Sequence, residues 1–250
     1  MTAKRLGVVR LALVTLTSLV YWPLCALLFL VIGLLLLPFR RRPGIQRLGQ
    51  RWLKQAFTGY VHILGGFGIV ECHYTGFEKL RNHSGGYMVT PNHPAMWDVV
   101  FLLSQLDPMT CVFKASLIRN PMFSGGAMFA GLIPNTPSIR MVKRAVDVLD
   151  AGGRVLFFPE GTRTRKHECA LNPLQGSMGL VAKYSQVPVW PVTVKTDTDY
   201  LSKGWPVWRL PRKKTHIRMQ VEDPVYCGVD ESVIDFNDRL RAIYLNSLVE

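Results

Sequence analysis

Apolar positions change their spacing several times along this chain, and each change predicts an element. Residues 11–39 contain no charged side chain and are dominated by Leu, Val, Ile and Phe. Residues 46–60 then place Leu48, Trp52, Leu53 and Phe57 at helical spacing among basic residues, which predicts an amphipathic helix suited to lie along a head-group layer. Short strand-like runs at 68–70 and 86–90 flank the turn signal Asn82, His83, Ser84, Gly85. An apolar helix is expected over 98–106, a buried strand over 110–115, a helix through Met141, Ala145, Val148 and Leu149, and a buried strand over 155–158. Pro173 opens another helical pattern, 187–194 and 216–221 read as strands, and 231–249 as a terminal amphipathic helix. Strands alternating with helices predict an α/β fold: a mixed, mostly parallel sheet flanked by helices, with an N-terminal membrane-anchoring helical segment. The expected division is an anchor over 1–60 and a catalytic domain over 61–250.

Charge sharpens the picture of the first segment. The chain carries a formal net charge of +13, and no acid precedes Glu71, whereas nine Lys and Arg residues do. A second basic stretch, 203–218, also lacks an acid. Such patches suit phosphates of nucleic acid or of anionic lipid, and the uncharged run between Leu11 and Phe39 decides for lipid, because about 20 apolar residues suffice to cross a bilayer core. Nucleic-acid binding would need stacking aromatics among the cations, for which only Trp205 and Trp208 offer themselves. A cleavable signal is disfavoured, since Arg40-Arg41-Arg42-Pro43 follows the run instead of small residues. Pro23 interrupts the run and basic clusters flank both ends, so a re-entrant helix–turn–helix breaking near Pro23 is expected over a single span. The five scattered cysteines suggest neither disulfides nor a zinc site and fit a reducing, cytoplasmic side. No pattern in the chain sets an oligomeric state.

Candidate chemistry clusters at two strand ends. After 86–90 comes Asn92-His93-Pro94-Ala95-Met96-Trp97-Asp98, with an imidazole five residues ahead of a carboxylate. Such a pair serves proton abstraction, because a carboxylate on one ring nitrogen fixes the tautomer and leaves the other nitrogen as base. Pro94 is expected to open a helix with His93 at its edge and Asp98 one turn on. After 155–158 comes Pro159-Glu160-Gly161-Thr162-Arg163-Thr164-Arg165. Both clusters follow strands, and crevices beyond strand carboxyl ends are where α/β sites form. No Gly-x-Ser-x-Gly elbow surrounds Ser84, Ser104 or Ser116, so serine-hydrolase chemistry has no support.

The His-x4-Asp pair together with Phe158-Pro159-Glu160-Gly161-Thr162-Arg163 resembles the glycerolipid acyltransferase family, of the 1-acylglycerol-3-phosphate acyltransferase kind. The resemblance runs on, in the family's order, through Lys114-Ala115-Ser116-Leu117, Pro121-Met122-Phe123 and Val187-Pro188-Val189-Trp190-Pro191-Val192. It implies a glycerol-3-phosphate acyltransferase-like fold with an N-terminal membrane-associated helical pair. It further implies acyl transfer to the hydroxyl of a lysophospholipid, with His93 as base and Asp98 as its partner. Lys114, Glu160, Gly161, Thr162 and Arg163 would form the substrate-binding set, Arg163 pairing with a phosphate and Glu160 holding that arginine or a head group. The co-substrate would be an acyl-CoA or acyl carrier protein thioester, with no metal or organic cofactor and no nucleic acid. The membrane lipids expected as partners put the chain on the cytoplasmic face of a bacterial inner membrane. One departure stands out: where the family runs into a phosphate-binding arginine, this chain reads Leu132-Ile133-Pro134-Asn135-Thr136. Either Arg140 or Lys143 substitutes, or the acceptor is another lyso-lipid, such as a lyso-amino-acid lipid. A catalytically inert lipid-binding scaffold is the remaining alternative.

Overall fold

In a computed structural model, which describes residues 7–136, 138–166, 168–206, 209 and 211–249, the apolar run forms one uninterrupted helix, α1 (Val8–Leu35), with Pro23 inside it. The break expected at Pro23 does not occur. Proline removes one ladder hydrogen bond and crowds the preceding turn, but tertiary contacts grip α1 along its whole length. Val14 is fully buried, Ser18 Oγ lies 2.9 Å from the Tyr60 hydroxyl, and Tyr21 donates to the Ala56 carbonyl at 2.6 Å. Trp22 packs among Phe57, Tyr60 and Trp97. The chain instead reverses through a short 3-10 turn, Leu37–Phe39, into α2 (Pro43–Gly66), so the helical pair is α1 with α2. One stripe of α1, made of Val9, Leu13, Leu16, Val20, Leu24, Leu27, Val31 and Leu34, stays exposed along its length.

The elements that follow are β1 (Val70–Thr75), α3 (Phe77–Asn82), β2 (Tyr87–Pro91), α4 (Asp98–Gln105), β3 (Thr110–Lys114), α5 (Pro121–Phe129) and β4 (Ile133–Asn135). After them come α6 (Ile139–Asp150), β5 (Arg154–Leu156), α7 (Gly176–Ser185), β6 (Val189–Thr196), β7 (Thr215–Val221) and α8 (Val233–Val249). The sheet order is β1-β7-β6-β2-β5-β3-β4, with β6 and β7 antiparallel and every other pair parallel. This is the mixed, mostly parallel sheet that the alternation of strands and helices predicts. The six-residue α3 was not expected, its Phe77 and Leu80 being too few turns to show a period.

Alternation along the central strands splits the core in two. Val89 and Leu156 face a cluster with Tyr60, Leu64, Phe101 and Leu102, from α2 and α4. Their neighbours Met88 and Val155 face Ala145, Leu149, Val181 and Phe236, from α6, α7 and α8. Helix α1 joins the first face through Val14, Tyr21 and Trp22, and it also packs on α5, where a Cβ on Gly125 would lie 2.5 Å from Leu30 Cα. Only glycine admits that approach. Because β2, β3, β4, β5 and β6 run the same way, their carboxyl ends share one edge.

Candidate active site

His93 and Asp98 meet at that edge, in a tight turn rather than in a helix opened by Pro94. The chain from Asn92 to Trp97 is irregular and α4 begins only at Asp98. The turn closes when Asp98 Oδ2 accepts the Ala95 N–H at 2.7 Å, and the same oxygen lies 2.9 Å from His93 Nδ1. Its place in the first turn of α4 also sets its charge at the positive end of the helix dipole. Asp98 is fully buried, and burial pushes its carboxyl up against the pull of the His93 and Ala95 donors. With Nδ1 directed at the carboxylate, Nε2 is the nitrogen left for a substrate proton. Phe158 stacks on the imidazole, ring centres 4.3 Å apart.

Glu160 ties the second turn to the first. Its Oε1 accepts the His93 N–H at 2.8 Å and the Thr164 hydroxyl at 2.7 Å, and its Oε2 accepts the Asn172 N–H at 2.9 Å. The Thr164 N–H returns to the His93 carbonyl at 2.7 Å. Burial raises the Glu160 carboxyl, and these donors oppose the rise. The expected partnership of Glu160 with Arg163 is therefore absent, since both carboxylate oxygens are committed elsewhere. Arg163 instead donates to the Leu201 and Ser202 carbonyls at 3.0 and 2.9 Å. The Leu201 carbonyl also accepts the Met96 N–H at 3.0 Å, so one backbone oxygen joins both motif turns to the β6–β7 connection. Leu201 adopts φ 61°, a left-handed conformation that a branched side chain rarely takes and that the surrounding contacts impose.

The remaining expected residues are placed less tightly. Gly161 has φ 64°, and a Cβ there would run into the Gln175 amide at 1.9 Å, which explains glycine at this position. Thr162 is exposed, whereas Thr164 is buried and Arg165 pairs on the surface with Glu168. Lys114 is exposed at the end of β3, in register with Asn135 of β4, whose side chain reaches Gln175 at 3.5 Å. Arg140 and Lys143 are exposed on α6. Trp205 donates to the Arg209 carbonyl and lies under its guanidinium, while Trp208 falls outside the described residues.

Several residues at the site carried no sequence signal. Asn92 exchanges hydrogen bonds with the Val194 backbone at 3.0 and 2.6 Å and so pins the end of β2 to β6. Asn172 bridges the Arg163 carbonyl and the Arg165 N–H. Lys166 donates to the Thr196 hydroxyl and to the Thr198 carbonyl. Asn92 adjoins the motif and was open to suspicion; the others become neighbours only through the fold.

A family model described as Acyltransferase matches residues 71–195, half of the 250-residue chain. The chain is 29% identical over 129 residues to a 1-acyl-sn-glycerol-3-phosphate acyltransferase of Streptococcus pneumoniae, covering 49% of this chain and 47% of that protein. It is 26% identical over 124 residues to the chloroplastic 1-acyl-sn-glycerol-3-phosphate acyltransferase BAT2 of Brassica napus, covering 48% of this chain and 36% of that one. These matches thus span about half or less of the length of the curated relatives. The crystal structure of the 1-acyl-sn-glycerophosphate acyltransferase PlsC from Thermotoga maritima superposes with a TM-score of 0.68 over 96% of both chains at 17% identity, which shows the same fold.

Proposed function

The chain belongs to the acyltransferase family, and on that premise we propose that it moves a fatty acyl chain from a thioester to the free hydroxyl of a lysophospholipid at a membrane surface. The observation that carries this reading is the 2.9 Å contact between His93 Nδ1 and the buried Asp98 carboxylate, at an edge against which the inner face of α1 packs through Trp22. Trp22 of α1 packs against Trp97 of the turn that holds His93, which fixes the helix bearing the apolar stripe to the site. The His93 Nε2 takes the proton of the acceptor hydroxyl, and the oxygen attacks the thioester carbonyl carbon. Asp98 stabilises the imidazolium that forms. Collapse of the tetrahedral intermediate breaks the carbon–sulfur bond, and His93 returns the proton to the departing thiolate, leaving an ester and a free thiol. No covalent enzyme intermediate is required.

The same helix supports a place at a membrane surface, which we read as the cytoplasmic face. A 28-residue α1 is about 42 Å long, against a hydrocarbon core of about 30 Å. Its docking along α2 and α5 favours lying at the interface with the exposed stripe in the lipid. Arg40, Arg41 and Arg42 at the turn would meet anionic head groups.

Lysophosphatidate is the acceptor suggested by the relatives' activities, with Lys114 and Arg163 as its phosphate partners. A second acceptor class, lyso-lipids with a larger or less charged head group such as a lyso-amino-acid lipid, is favoured by two observations. The neutral Asn135–Gln175 contact stands where the resemblance leads one to expect an arginine, and Arg163 is engaged by the Leu201 and Ser202 carbonyls. Competing the acceptors with one acyl donor tests this. A strong preference for lysophosphatidate removes the second class, and transfer to no lyso-lipid overturns the function.

A further inference from the structure

Helix α6 carries its charges in the order least favourable to itself. Arg140, Lys143 and Arg144 are exposed in its N-terminal half, no acid lies in its first turn, and Asp147 and Asp150 follow in the C-terminal half. The peptide dipoles of a helix favour the reverse arrangement. Among the described residues none of the three cations forms an ion pair. Beside them Ile139 is 71% exposed, an apolar side chain inside a basic patch. Nothing in the packing of α6 accounts for this surface, because the helix meets the core through Met141, Val142, Ala145 and Leu149.

Its position is informative. Helix α6 follows β4, whose carboxyl end lies on the catalytic edge, three strands from β2 in the order β2-β5-β3-β4. Three strand spacings are about 14 Å, a distance suited to holding the carrier end of a donor while its thioester arm reaches His93. The patch also belongs to the sheet face opposite α1 and α2, since α6 packs with α7 and α8. A bilayer held by the α1 stripe leaves that face to water, so the partner is soluble. The cations stand on an exposed helix surface, whereas nucleotide phosphates are usually held in clefts, and a surface of this kind fits an acidic protein.

Resting on the acyl-transfer reading above, we propose that Ile139, Arg140, Lys143 and Arg144 form the docking surface for an acidic acyl carrier protein, which presents its thioester to His93 from the side opposite the lipid. Charge complementarity at such a surface governs encounter and is screened by salt.

The test uses the 250-residue chain in lipid nanodiscs and the triple variant R140E/K143E/R144E, whose exposed side chains stand away from the buried face of α6, so that the fold is kept. Anisotropy of a labelled bacterial acyl carrier protein reads binding, and initial rates with palmitoyl-carrier and palmitoyl-CoA read KM. The expected result is carrier affinity that falls with salt in the wild type. In the variant, Kd and KM for the carrier rise about tenfold or more, and the rise in KM for the carrier exceeds any rise for palmitoyl-CoA by a similar factor. Unchanged carrier affinity, or an equal rise in KM for both donors, overturns the proposal. A wild type that binds the carrier in a salt-dependent way and transfers from neither donor supports the surface and overturns the proposed function.

Discussion

The turns that follow β2 and β5 sit side by side on one edge, yet they are built in different ways. The first, from Asn92 to Asp98, assembles its reactive pair within itself: five residues separate His93 from Asp98, and Ala95 supplies the N–H that fixes the carboxylate. The second, from Pro159 to Arg165, looks outward. Glu160 holds the His93 N–H, Thr164 and Asn172, and Arg163 holds the β6–β7 connection through Leu201 and Ser202. On the proposed mechanism, two motif blocks of similar appearance would divide the labour, one carrying the proton chemistry and the other holding that pair in place. Glu160 is a positioning residue on this geometry.

The sharpest way to test that division is to remove each turn's central group. His93→Ala is expected to lower kcat by about 10²–10⁴ in protein that still folds, because the side chain lost is the proposed base. Near wild-type turnover in the folded variant would remove His93 from the mechanism. Glu160→Gln should behave in the opposite sense, with a smaller loss of rate and a clear loss of stability. The amide faces N–H donors on both sides where a carboxylate accepted, a mismatch costing about 1–3 kcal/mol. Denaturant unfolding with no change in midpoint would show that Glu160 is not the brace between the turns.

The smallest expected effect lies in pH dependence. Burial raises the Asp98 carboxyl, so the folded protein holds that proton to higher pH than the unfolded chain does. This contribution to stability is full below the ordinary carboxyl value, about 3.9, and is lost as pH rises through the raised value. Asp98→Asn, which has no charge to desolvate, should therefore gain in melting temperature relative to the wild type as pH rises from about 4, while losing activity throughout. A difference in melting temperature that is flat or falls across that range would mean that the His93 and Ala95 donors outweigh burial.

Much of this architecture was legible in the residues. The run without charge between Leu11 and Phe39 announced apolar helix, and the alternation of Val155, Leu156 and Phe157 between strand faces follows from a period of two. The His-x4-Asp spacing announced its own contact because both partners lie within one turn of chain, where local geometry suffices. Pro23 misled for the complementary reason: its local preference is to break a helix, and the packing of Ser18, Tyr21 and Trp22 against α2, which overrides it, involves residues some 35 to 42 positions away. The partners of Glu160 and Arg163 were equally out of reach. Asn172 and Leu201 become neighbours only when β5, β6 and the connection to β7 have taken their places in the sheet. Short-range pairings and periodicities are written in the order of the residues, whereas which oxygen accepts from which distant N–H is decided by the fold that brings them to one edge.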